Sequence, residues 1–71
     1  MRDWLLSARQ KSGMTQREVA DKLELSESYY SYIENGERQK KMDMALVSKF
    51  SVVFGIPLSE IVEMEQKWLK G

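Results

Sequence analysis

The sequence predicts an all-α fold of five short helices, and three observations carry that prediction. Helix start and stop signals recur at short intervals along the chain. Between them the apolar residues fall at helical rather than alternating spacing. The one stretch with strand character, Phe50-Ser51-Val52-Val53-Phe54, finds no second strand in the chain to pair with.

The first helix is expected from Arg2 to Lys11, with Trp4, Leu5 and Ala8 on one face and Ser12-Gly13 as its stop. Thr15-Gln16-Arg17-Glu18 then reads as a capping box, in which the Thr15 hydroxyl and the Glu18 carboxylate each satisfy a free backbone N–H, with Met14 stapled onto Val19. This second helix runs to about Leu23. Ser26 caps the third, with Leu25 and Tyr30 as its staple, and Asn35-Gly36 ends it. Residues 37 to 41 are polar and lack apolar periodicity, which makes them a loop. Asp43 caps the fourth helix, whose Leu46, Val47, Phe50, Val53 and Phe54 repeat at helical spacing before Gly55. After Pro57 a last helix, about 59 to 70 and capped by Ser59, carries Ile61, Val62, Met64, Trp68 and Leu69.

Composition narrows what such a fold can do. The 71 residues are 42% hydrophobic and 31% charged, which suits one compact domain, 1 to 71, without repeats or low-complexity segments. A chain this short buries only about 60% of its extended surface, so regular helix packing or a partner chain has to stabilise it. Cysteine and histidine are both absent. Disulfides, thiolate metal sites and imidazole bases are excluded with them, and no cofactor is expected. Glu60 and Glu63, three apart on a helix, are a solvated face rather than a carboxylate site, so the chain is not expected to be an enzyme. No apolar run approaches the roughly 20 residues of a membrane span, and no signal-peptide core opens the chain, which points to the cytoplasm. Eleven basic residues balance eleven acidic ones, so nucleic-acid binding would have to rest on local charge.

The second helix, a turn of about three residues and the third helix, within 16 to 35, have the spacing of a helix-turn-helix. Turning Tyr30 and Ile33 inward leaves Glu27, Ser28, Ser31 and Tyr32 outward, with Tyr29 at the flank. The run from Met14 to Gly36, MTQREVADKLELSESYYSYIENG, followed by FGIPLSEIV, resembles the Xre family, which includes the Cro and phage CI repressors. The likeness covers nearly the whole chain and implies a lambda-repressor-like DNA-binding domain, with its third helix in the major groove of double-stranded DNA.

That resemblance implies roles for particular residues. Gln16 and Arg17 match the start of the second helix, where a phosphate is met by free N–H groups and the helix dipole. Ser26, Glu27, Ser28, Tyr29 and Tyr32 match positions that touch bases or backbone. Glu27 keeps two readings, as an acceptor for cytosine N4 or as a first-turn acid on the dipole. Arg38, Lys40 and Lys41, against Glu37 alone, match a loop that lies along the DNA backbone. Glu24 departs from the family, which usually has Gly at this left-handed turn position.

The family also implies a homodimer, for which Trp68 and Leu69 are the candidate contacts. The leading expectation is a transcriptional repressor that occupies an operator. The alternative is a protein partner: an antitoxin or anti-repressor on the same fold, gripping another protein through Tyr29, Tyr32 or the last helix.

Overall fold

A computed structural model of the chain describes residues 1–36 and 42–71. Among these residues five helices follow one another: α1 (Asp3–Ser12), α2 (Gln16–Leu23), α3 (Glu27–Asn35), α4 (Met44–Phe54) and α5 (Leu58–Lys70). Three of the sequence-predicted caps close α2, α3 and α4. The Thr15 hydroxyl accepts from the Glu18 N–H at 3.1 Å while the Glu18 carboxylate accepts from the Thr15 N–H at 2.8 Å. Ser26 Oγ accepts from the Tyr29 N–H, and Asp43 Oδ1 from the Leu46 N–H.

Three boundaries differ from the sequence reading, the first being the end of α1, which takes in Ser12 and stops at Gly13 alone. Arg2 lies outside α1 as its N-cap, with no side-chain capping bond, because its guanidinium is spent elsewhere. Helix α5 begins at Leu58, so Ser59 sits inside the first turn instead of capping it. Pro57 takes the capping position: its backbone angles are −54° and 140°, and its carbonyl accepts from Glu60 and Ile61. The proline ring thus fixes the entry angle without any side-chain hydrogen bond.

The core gathers the expected faces of all five helices. Leu5, Val19, Ala20, Leu23, Tyr30, Ile33, Leu46, Val47, Phe50 and Ile61 are buried together. Phe50 is the hub, stacked on Phe54 at 5.8 Å and met edge-on by Trp4 at 6.1 Å. Residues 50 to 54 are helical because this packing overrides their strand propensity. Arg2, Glu34 and Glu65 are buried with the apolar residues, and no buried side-chain polar atom among the described residues lacks a hydrogen-bond partner. No single helix among the described residues is long and apolar enough to cross a membrane.

Candidate nucleic-acid interface

Helix α3 is set on the molecule by what it buries. Tyr30 and Ile33, three apart, are fully buried. Rotation by helical geometry then turns Glu27, Ser28 and Tyr32 to solvent, with Ser31 half-buried between them. The N-terminus of α2 comes alongside, and Gln16, Glu27, Ser28, Ser31 and Tyr32 line one open hollow of about 370 Å³. Tyr29 is on the other flank, in a separate hollow with Leu25, Asp43, Ala45, Leu46 and Lys49. Ser26 is exposed at the start of α3 with its oxygen engaged in capping, and Arg17 is exposed in the first turn of α2. Arg38, Lys40 and Lys41 lie outside the described residues.

Gln16 does not stand alone in the hollow. Its amide nitrogen donates to Glu34 Oε1 at 2.9 Å, which leaves a second N–H and the amide oxygen for another partner. Glu34 also accepts from Arg9 Nε at 2.8 Å, from Arg9 Nη2 at 3.1 Å and from the Tyr30 hydroxyl at 2.8 Å. Arg9 in turn donates to the Met14 carbonyl, just before the α2 cap. One buried carboxylate therefore joins α1, the start of α2 and α3 beneath the hollow.

The charges in this cluster support one another. Burial pushes the Glu34 carboxyl upward, but the hydrogen bonds from Arg9, Gln16 and Tyr30 and the Arg9 charge outweigh it and hold the group below the usual carboxylate range. The hydrogen bond to Glu34 raises Arg9, against the opposing effect of its burial. Burial, then the neighbouring carboxylate, pushes the Tyr30 phenol far up, so it stays a neutral donor. Sequence reasoning placed Tyr30 in the core and overlooked Glu34. The signal was there: Glu34 follows Tyr30 by four residues and so falls on the same inward stripe, where an acid requires partners.

The remaining candidate positions show different environments. Glu24 takes the left-handed conformation expected of the turn, with φ 60° and ψ 39°, and its N–H bonds back to the end of α2. Glu27 is both the first-turn acid of α3 and a wall of the hollow, so both of its readings keep a geometric basis. Trp68 and Leu69 do not share a surface. Trp68 lines a hollow with Met1, Trp4 and Met64, and its indole N–H donates to the Met1 carbonyl at 2.7 Å. Leu69, 42% exposed, faces a different hollow with Met42, Met44, Val47 and Val62.

The order of elements and the α2–turn–α3 unit define a helix-turn-helix domain. The helix-turn-helix family model matches residues 5–61, and the chain belongs to that family, in its Cro/CI-type branch with a lambda-repressor-like all-α fold. Over 49 residues it is 43% identical to the uncharacterized HTH-type transcriptional regulator YqaF of Bacillus subtilis strain 168, covering 69% of this chain and 60% of that protein. The chain thus spans less than two thirds of the length of this curated relative. No solved structure matches it.

Proposed function

We propose that this chain is a sequence-specific DNA-binding transcriptional regulator, a repressor that acts as a homodimer with α3 in the major groove. The observation that carries the reading is the shared hollow of Gln16 with Glu27, Ser28, Ser31 and Tyr32, a polar helix face beside a helix N-terminus. Family membership and the relative named as a transcriptional regulator support it. In this reading Ser28 and Tyr32 face bases, while Gln16, Arg17, Ser26, Arg38, Lys40 and Lys41 meet phosphates. Glu27 accepts from a cytosine amine or serves the helix dipole, and Tyr29 contacts the backbone from its flank. The subunit contact is built on Leu69, with Met44, 61% exposed, beside it in the same hollow. Trp68 lies on another face of α5, against Met1 and Arg2, and is not part of this contact.

Selection from random duplex DNA, followed by titration of the enriched site as salt is raised, tests this reading. A palindromic half-site with a log–log salt slope of about −0.9 per neutralised phosphate is the expected result. Ser28→Ala should cost about 1–3 kcal/mol at one base pair, whereas Lys40→Ala should weaken all sequences alike and flatten the slope by roughly one unit. Equal effects of both changes on selected and scrambled DNA would reject the groove assignment. A folded protein that enriches nothing favours the protein-partner reading, which draws on Tyr29 and Tyr32, both about two-fifths exposed, at 42% and 41%.

A further inference from the structure

Arg2 is fully buried, yet it lies outside every helix interior and serves the far end of α3. Its backbone N–H donates to the Glu34 carbonyl at 2.8 Å, and its Nη1 to the Ile33 carbonyl at 2.6 Å. The last carbonyls of a helix have no partner within it, and α3 has no basic residue of its own in its last turn. Arg2 supplies from the start of the chain the positive charge that this helix end lacks.

Helix α5 holds Arg2 in that role. Glu65 accepts from Arg2 Nε at 3.0 Å and from Nη2 at 2.9 Å, and the same carboxylate accepts from the Trp4 indole at 3.0 Å. The Trp68 ring covers the guanidinium, whose central carbon lies 4.3 Å from the ring centroid. Trp68 then meets the end of α3 itself. A Cβ on Gly36 would stand 2.6 Å from Trp68 Cζ2, at a residue whose φ is 69°. Glycine is required there both by the left-handed backbone and by the indole packed on it.

We infer that Arg2 and Trp68 are positioning residues for base discrimination, clamping the last turn of α3 so that its outward face meets the groove at one fixed angle. The inference rests on the DNA-binding reading proposed above. Hydrogen bonds to base edges tolerate only a few tenths of an ångström, whereas contacts to phosphates through long cations tolerate much more. Loosening the clamp therefore weakens binding to the selected site more than binding to other DNA. A loss of folded protein would lower both equally.

The test uses Trp68→Ala, Trp68→Phe and Arg2→Lys in the full chain, at a temperature where circular dichroism shows each one folded. Two quantities are read: amide exchange at Asn35 and Gly36 in the free protein, and affinity for selected against scrambled duplex. For Trp68→Ala we expect faster exchange at both amides and a roughly tenfold drop in the affinity ratio, comparable to one mismatched base pair. Scrambled DNA should be bound within about twofold of wild type, since phosphate contacts carry it. Trp68→Phe keeps an aromatic face over Arg2 and should recover most of the ratio. Arg2→Lys keeps the charge but loses the guanidinium fork, so it should behave like Trp68→Ala and carries the comparison if that variant does not fold. An unchanged ratio, or equal losses on both duplexes, overturns the clamp while wild-type discrimination leaves the DNA reading standing. A wild type that does not discriminate rejects the DNA reading and the inference with it.

Discussion

Two Arg–Glu pairs, Arg2–Glu65 buried and Arg9–Glu34 partly buried on its arginine side, grip α3, and they do so in opposite ways. In Arg9–Glu34 the carboxylate belongs to α3, and its donors come from α1, the start of α2 and α3's own Tyr30. In Arg2–Glu65 the cation reaches α3 only through backbone carbonyls, and the carboxylate comes from α5 to neutralise it. The first pair is a side-chain junction under the candidate interface. The second is a helix cap supplied from the two ends of the chain. A buried pair with every hydrogen bond made adds little net stability, but one whose partner is removed leaves a costly uncompensated charge. The two pairs therefore differ in what their loss strands: Arg9 with the Tyr30 hydroxyl in one case, a helix end in the other.

The largest expected effect comes from Glu34→Ala. It leaves the buried Tyr30 hydroxyl and the partly buried Arg9 without their acceptor and releases the Gln16 amide, and should cost about 3 kcal/mol in a urea titration. Gln16 would also lose its tether, so the loss should extend to DNA affinity at temperatures where the variant is folded. An effect below about 1 kcal/mol, the range of an exposed pair, would mean that Glu34 does not join α1, α2 and α3.

Acid should weaken the Glu34 junction. Because the Glu34 carboxyl is held below its unfolded value of about 4.3, its contribution is fully present above that pH. It is lost as pH falls through the lower folded value, when protonation breaks the pairing with Arg9. Glu18, depressed by the hydrogen bond from the Thr15 N–H, acts in the same direction from the surface. Glu34→Gln should therefore flatten the acid limb of the stability curve measured from pH 7 to about pH 3. A limb as steep as that of wild type would move the titrating group elsewhere.

What could be read in the sequence was local. Thr15 with Glu18, Ser26 and Asp43 are each recognisable because a cap involves residues three apart. The outward stripe of α3 followed as directly from the inward placement of Tyr30 and Ile33. Both ion pairs escaped, since Arg9 and Glu34 are 25 residues apart and Arg2 and Glu65 are 63 apart. Spacing carries no information at that range. Trp68 shows the cost: on its own helix it reads as spare apolar surface for a partner subunit, but its indole bonds to Met1, 67 residues away. Glu34 lies between these cases, because its position four after Tyr30 placed it inside while nothing local named its partners.

The smallest effect tests whether the turn between α2 and α3 is independent of both pairs. Glu24 is the only non-glycine residue with positive φ among the described residues, at 60°. Its side chain is exposed in a left-handed conformation that costs a residue with a Cβ about 1 kcal/mol. Glu24→Gly relieves that strain but gives the unfolded chain more freedom, so the net gain should be about 0.5 kcal/mol in a urea titration. Combined with Glu34→Ala the gain should add within about 0.5 kcal/mol, as it does for sites that share no partner. The same change removes a negative charge from the turn, so affinity for selected and scrambled DNA should rise by similar factors. A stronger coupling to Glu34 would show that the turn and the buried junction move together, and that α3 is held as one piece with the start of α2.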